Sequence, residues 1–299
     1  MQRRQFIQNS ALAMAMLSLY KTDVFANTAL ARAYQFKPLR NDVGMFTEKG
    51  GTIAWLNGSS GFVAIDSQFP DTAVHVIEEL KKLGNKPFKY LLNTHHHGDH
   101  TAGNIAFKGL TEHVVAHQNA LINQKLAAEK AKNEDQQLYA DVTFGKGWKA
   151  PVGKEKISAF YYGSGHTNGD VIYHFENANI VHVGDLVFNR RFPYIDKDNG
   201  AHIGNWISAL DKIYNQFDKD TLFIWGHSLD PEKVTGNKED VKAFQNYLQS
   251  LMALVSSEIK AGKTKEEILK ITSIPAAPEW QGDGITRSLT AAYTELTVG

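Results

Sequence analysis

Asn93-Thr94-His95-His96-His97-Gly98-Asp99-His100 puts four imidazoles and one carboxylate into six consecutive positions, directly after the apolar run Phe88–Leu92. That run predicts a β-strand, and strand ends are where a sheet protein commonly presents polar groups to a cavity. Burying these groups is costly unless a cation holds them, and neutral His with ionised Asp are good zinc donors. At strand-like spacing His95 and His97 point the same way, whereas Asp99 and His100, one step apart after Gly98, aim at a neighbouring centre. Two metals are therefore expected. The bland alternative is an exposed His-rich tract. Such tracts are usually low-complexity, and this one lies between a strand and the polar turn Thr101-Ala102-Gly103-Asn104.

Four ligands are too few for two catalytic ions, so further donors are expected at later strand ends. Gly165-His166-Thr167-Asn168-Gly169-Asp170 precedes a strand-like run, Val183-Gly184-Asp185-Leu186 ends one, and Trp225-Gly226-His227-Ser228 ends another. Each sets a His or Asp beside a Gly, where the backbone can turn tightly and a ligand can approach. Alone, His166 or His227 reads as an ordinary hydrogen-bonded imidazole.

Outward from the cluster, residues 34 to about 185 alternate short apolar runs with polar turns, as in Thr52–Leu56, a turn through Asn57–Gly61, and Phe62–Ile65 ending at Asp66. They read as consecutive antiparallel strands. Asp71 is a candidate cap for a helix with Ala73, Val76, Ile77, Leu80 and Leu83 on its apolar face; His75 falls off that face and reads as solvated. A helix is expected after His117, and strands near Ile157–Tyr162, Val171–Phe175 and Ile180–Val183. A second striped helix runs from Ile203 to Phe217, before the strand Leu222–Trp225. A long helix carrying Val241, Phe244, Leu248, Leu251, Val255 and Ile259 stops at Gly262, and Thr264 with Glu267 can cap another. The expected class is mixed α/β (α+β), a layered sandwich with helices outside and sheets inside.

The motif His95-x-His97-x-Asp99-His100 followed by His166, Asp185 and His227 resembles the metallo-β-lactamase superfamily of metal-dependent hydrolases. The resemblance covers roughly residues 40–230 and implies a four-layer αββα sandwich with metals at one edge between the sheets. It implies that His95, His97 and His166 bind one zinc, that Asp99, His100 and His227 bind a second, and that Asp185 bridges them. Asp66 matches a position that supports the site without ligating, and His96 sits at a variable position. The implied chemistry is attack by a hydroxide bridging two zinc ions on a carbonyl-type bond: β-lactam, lactone or thioester. Two Zn²⁺ set against Asp99, Asp185 and hydroxide leave about one positive charge, which favours an anionic or carbonyl-containing small molecule. Asp99 is also a candidate to move a proton to the leaving group.

The chain has no cysteine, which excludes the lactamase type that places a Cys ligand where Asp185 stands. A bridging Asp and the run Thr94–His100 look like glyoxalase II thioester hydrolases, although the C-terminus shows no obvious glutathione-binding pattern. A di-iron redox protein on the same fold is a further alternative; those characteristically replace an early His with Glu and add a flavin module. A non-catalytic binding module would be expected to have lost ligands. Arg190, Arg191 and Tyr194 are candidates to hold a substrate carboxylate, with surface pairing to Asp196 or Asp198 as the competing reading. His202 and Trp206 are weaker candidates, and Trp206 fits the core stripe. Gly262-Lys263-Thr264 is a helix boundary, because a phosphate-binding loop would need Gly where Ser257 stands. No G-x-S-x-G elbow occurs.

The 299 residues include 32 basic and 32 acidic side chains, so no global basic field exists to capture nucleic acid or an anionic membrane. Arg3-Arg4-Gln5-Phe6-Ile7, the apolar stretch Ala11–Leu19 and Val24-Phe25-Ala26 have the layout of an export signal. The paired arginines resemble a twin-arginine signal, an ordinary secretory signal being the alternative. The apolar run is shorter than the roughly 20 residues needed to span a bilayer, so no stable membrane anchor is expected. Excluding residues 1–26 removes Arg3, Arg4, Lys21 and Asp23 and leaves 29 basic and 31 acidic residues, net −2. The expected organisation is a signal over 1–26 cleaved near Ala26, a metallo-β-lactamase-like domain over 27–235, and a helical extension over 236–299 packed on it. The expected location is the periplasm.

Overall fold

The computed structural model describes residues 34–298, so the export signal expected over residues 1–26 lies outside the described residues. Four strands, β1 (Gln35–Arg40), β2 (Val43–Thr47), β3 (Ile53–Gly58) and β4 (Gly61–Ile65), lead into helix α1 (Pro70–Lys82) and strand β5 (Phe88–Leu92). A single helical turn, α2 (Gly98–Thr101), then precedes β6 (Thr111–His117), α3 (Gln118–Ala131) and β7 (Val142–Phe144). These strands form one sheet in the order β1-β2-β3-β4-β5-β6-β7.

Strands β8 (Gly147–Val152), β9 (Glu155–Tyr161), β10 (Val171–Phe175) and β11 (Ile180–His182) begin the second sheet. The pair β12 (Phe188–Asn189) and β14 (His227–Ser228) flanks helix α4 (Ile203–Gln216) and strand β13 (Leu222–Ile224), and β15 (Thr235–Gly236) closes the order β15-β13-β11-β10-β9-β8. Helices α5 (Lys238–Lys260), α6 (Lys265–Ile268) and α7 (Ile285–Thr297) end the chain. The architecture is the αββα sandwich with C-terminal helices.

Val63, Ile65, Leu92 and Val115 of the first sheet share one buried core with Ile157, Ala159, Val171, Tyr173 and Val181 of the second. All of β4 is buried, because one face meets the opposite sheet and the other is covered by helix, as parallel strands require. Reading residues 34–185 as consecutive antiparallel strands needs correction. The β3/β4 hairpin and the run β8 to β11 are antiparallel, but β4/β5, β5/β6 and β6/β7 are parallel. The segments between those strands, which include α1 and α3, carry the chain back across the layer, so each strand restarts in the same direction.

Helix α1 buries Ala73, Val76, Ile77 and Leu80 as its pattern predicts, worth roughly 1.5–3 kcal/mol for each larger side chain. Leu83 is 44% exposed, because it lies past the last turn as the C-cap. Asp71 does not cap the helix. It sits in the first turn and pairs with Lys49 at 2.6 Å, while Thr72 Oγ1 accepts the Phe69 N–H. His75 is half-buried and 2.7 Å from Glu48. Thr264 and Glu267 form the expected capping box, over one turn only. Trp206 of α4 stacks edge-on to Phe244 of α5 at 5.4 Å, and the α5 and α7 side chains Tyr247, Leu248, Leu289 and Ala292 belong to the same core. Among the described residues no helix is long and apolar enough to cross a membrane.

Candidate metal centre

The His cluster leaves β5 through a bend at Thr94 and His95, and Gly98 to Thr101 then close one helical turn. The strand-like spacing assumed for His95 and His97 is therefore not what aligns them. His97 is the N-cap of α2, and its ring stands perpendicular to His95 at 4.8 Å. His95 Nε2 and His97 Nδ1 approach to 3.2 Å. With His166 and Asp185 they form a set whose donor atoms lie within 4.8 Å of one another. Asp99, His100 and His227 form a second such set. The two meet at Asp185, with Oδ1 3.1 Å from His100 Nε2 and Oδ2 3.7 Å from His166 Nε2 and 3.4 Å from His227 Nε2. The structure thus brings together all seven side chains singled out as ligands.

Whether these residues fit metal ions is tested by their unmet valences. His100 Nε2, His166 Nε2 and Asp185 Oδ1 are buried and make no hydrogen bond of acceptable geometry, a cost of about 1–3 kcal/mol for each neutral group and more for a charged one. Burial alone would lower the pKa of His100, but Asp185, Asp66 and Asp99 raise it well above the ordinary imidazole value. The protein groups therefore call for positive charge at Nε2, and a cation there would take the proton's place. Asp185 is held well below its ordinary value: burial opposes ionisation, and His227 and His100 overcome it. Asp99, likewise opposed by burial, is held at about 2 by His100 and His227. His95 and His97 are lowered, mainly by burial, and so tend to the neutral form that ligates. Imidazole and carboxylate donors without thiolate suit zinc and other first-row divalent ions.

Partners outside the two sets aim the donors. Asp66 Oδ2 lies 2.8 Å from His100 Nδ1, while Oδ1 accepts the Thr94 N–H and Oδ2 the Thr94 hydroxyl. Asp196 Oδ2 lies 2.8 Å from His97 Nε2, whereas Asp170 Oδ1, 3.5 Å from His166 Nδ1, is close without a hydrogen bond of acceptable geometry. A carboxylate on the far nitrogen fixes tautomer and ring orientation and raises donor strength. In the sequence Asp196 reads only as a surface partner of arginine; nothing local marks it, since it lies 99 residues from His97. His96 is buried with Nε2 3.8 Å from Asp196, and burial lowers its pKa to about 3. Two glycines make room: a Cβ at Gly226 would collide with Asp185 Oδ1, and one at Gly51 with the His100 ring.

The family model of the metallo-beta-lactamase superfamily matches residues 53–227, an interval that begins with β3, ends on His227 and contains all seven donors. The chain belongs to the metallo-beta-lactamase superfamily. It is 24% identical over 176 residues to a metallo-beta-lactamase type 2 of Bacillus cereus, covering 58% of this chain and 64% of that protein, so under two thirds of the relative is spanned. It is 28% identical over 200 residues to a hydroxyacylglutathione hydrolase of Pelagibacter ubique, covering 64% of this chain and 77% of that protein. The solved metallo-beta-lactamase of Pontibacter korlensis superposes with a TM-score of 0.61 at 20% identity, covering 72% of this chain and 99% of that one.

In this superfamily member the two donor sets open onto a cavity of about 380 Å³ walled by Asp99, Asp185 and His227 together with Phe188, Phe192 and Tyr194, within the size range of small-molecule sites. Arg191 and Tyr194 line it; Arg190 does not. Arg190, whose backbone has φ +58, instead lies over the Trp280 ring at 4.6 Å and faces Asp240 at 3.6 Å. Trp206 is a core residue whose Nε1 donates to the Leu186 carbonyl at 3.0 Å. His202 caps α4 by accepting the Asn205 N–H and is not in the cavity wall. Two wall residues missed in the sequence, Asp283 and Arg287, come from the C-terminal segment. They lie beyond the matched interval, so no family motif marks them.

Proposed function

We propose that the protein is a dinuclear zinc hydrolase acting on a carbonyl-type bond (β-lactam, lactone or thioester) of a small anionic molecule. The observation that carries this reading is the sharing of Asp185 between two compact donor sets at the floor of an open cavity. His95, His97 and His166 would hold one ion, Asp99, His100 and His227 the other, and Asp185 both. Two such ions supply Lewis acidity and bring the pKa of a shared water to about 7.

The chain's own groups do the rest. Asp66 and Asp196 hold His100 and His97 in their donor orientation. Phe188 and Phe192 wall the cavity and exclude water from its sides. The Asp99 side chain is 32% exposed and the Asp185 side chain only 4%, so Asp99 Oδ2 is the carboxylate oxygen best placed to take a proton and pass it to a leaving group.

A second reading, a thioester hydrolase of the glyoxalase II kind, is favoured by Asp185 in place of cysteine and by the similarity to a hydroxyacylglutathione hydrolase. The test is metal analysis of the purified protein, followed by assays with a β-lactam, a lactone and a thioester. Two zinc equivalents and turnover of one class are expected; fewer than one equivalent, or a visible di-iron spectrum, would contradict the proposal.

The signal-like residues 1–26 support export to the periplasm with cleavage near Ala26. Replacing Arg3 and Arg4 by Lys should block export if the twin-arginine route is used.

A further inference from the structure

The superfamily match ends at His227, yet the wall of the cavity does not. Asp283 and Arg287 reach it from the C-terminal segment and face the same space as Arg191. We propose that Arg191 and Arg287 together seat a carboxylate on the substrate, so that the C-terminal segment supplies the specificity of a site whose chemistry lies elsewhere in the chain.

The backbone ties the two arginines to one platform. Residue 191 bridges residue 281, the Phe192 N–H donates to the Gln281 carbonyl at 3.2 Å, and the Gln281 N–H to the Arg190 carbonyl at 3.0 Å. The buried Ser288, next to Arg287, donates its hydroxyl to the Pro193 carbonyl at 3.1 Å. The first turn of α7 is thus pinned to the loop that carries Tyr194. Arg287 Cζ lies 5.4 Å from the Tyr194 ring centre, and that ring lies 5.4 Å from His97. One aromatic ring therefore separates the guanidinium from a ligand of the metal centre.

Arg190 is occupied by Trp280 and Asp240, but among the described residues neither Arg191 nor Arg287 has a carboxylate within 4.0 Å. Two guanidiniums set against Asp283 leave one net positive charge on this wall, which suits a single carboxylate. Arginine binds that group through paired donors in a fixed fork. Phe188 and Phe192 line the space beside it and favour an apolar or aromatic body on the same molecule.

The identity of the molecule that carries the carboxylate rests on the hydrolase reading; its capture does not. Zinc-loaded full-length protein is titrated calorimetrically with phenylacetate and with neutral phenylacetamide. The acid should bind at least about tenfold more tightly. R191A and R287A should each weaken phenylacetate about tenfold, leaving zinc content, melting temperature and amide binding unchanged, and R287K should restore only part. Equal binding of acid and amide, no binding of the acid to the wild type, or acid binding indifferent to both substitutions overturns the proposal. The last of these would mean that the carboxylate sits on the metals. In a kinetic arm, R287A should raise KM about tenfold for a thioester or lactone bearing a free carboxylate, but not for its methyl ester, with kcat within about twofold. If the wild type turns over nothing while anion binding persists, the hydrolase reading fails alone. If R287A affects acid and ester equally, the arginine seat fails alone.

Discussion

Asp66 Oδ2 lies 2.8 Å from His100 Nδ1, and both side chains are fully buried. Asp66 holds this position with φ +66 at the end of β4, a conformation that costs a non-glycine residue of order 1 kcal/mol or more. The two bonds to Thr94 and the pairing with His100 hold it there. The consequence is that His100 Nε2 faces Asp185. Asp66→Asn puts a donor opposite Nδ1 and should weaken metal binding in the set containing His100 by about 10–100-fold. Zinc titration against a competing chelator should then show one tight equivalent, against two expected for the wild type.

Gly226→Ala tests the close approach from the other side, since its Cβ would collide with Asp185 Oδ1 and crowd the His100 ring. Overpacking of this kind typically costs about 1–3 kcal/mol. The substitution should displace Asp185, so metal content falls below two equivalents and the denaturant midpoint drops. An unchanged zinc count would show that Asp185 has room to move.

Asp99→Asn removes a carboxylate from the second donor set and the proposed proton carrier. Zinc in that set should bind at least about tenfold more weakly, and kcat at saturating zinc should fall by about 10²-fold or more, the usual range for loss of general acid–base catalysis. Unchanged rate and metal content would remove Asp99 from the mechanism.

Chelation should lower thermal stability as well as activity. His100 Nε2, His166 Nε2 and Asp185 Oδ1, buried without a hydrogen-bond partner, would gain one from a bound metal, and free ligand at 100 times Kd adds about 2.7 kcal/mol of stability. Melting curves with and without excess zinc should differ by several degrees.

Glu295 of α7 accepts the N–H groups of Ile203 and Gly204 at the start of α4 at 2.8 Å each, with Lys197 3.0 Å and His202 3.3 Å away. Burial works against its ionisation, but those backbone bonds and Lys197 lower its pKa below the ordinary 4.5. A carboxylate with a lowered folded value contributes stability that is complete above its unfolded pKa and is lost as pH falls through the folded one. Glu295→Gln should therefore cost about 1–2 kcal/mol at pH 7. The difference from wild type should shrink below about pH 4.5 in denaturant titrations.

Much of this protein is present in local pattern. The apolar stripe of α1, the strand Phe88–Leu92 and the stripe of α4 predict their elements because burial demands period 3.6 or 2 wherever one face meets a core. The seven ligand candidates were legible for a different reason: imidazoles and carboxylates beside glycines at strand ends are hard to explain without a cation. Strand direction was not legible, since an apolar strand reads alike in either orientation and the intervening segments set the sense of β5, β6 and β7. Nor was the way His95 and His97 converge, which a bend and one turn of helix achieve in place of extended spacing.

By itself the sequence determined the superfamily, the layered class and the seven candidate ligands, because these depend on residue type and short-range spacing. Only the tertiary structure decided that Asp196 holds His97, that Arg190 turns to Trp280 while Arg191 faces the cavity, and that Arg287 completes its wall. Those relations join residues separated by some 90 positions or more, and long-range contacts of single side chains leave no periodic trace in the chain.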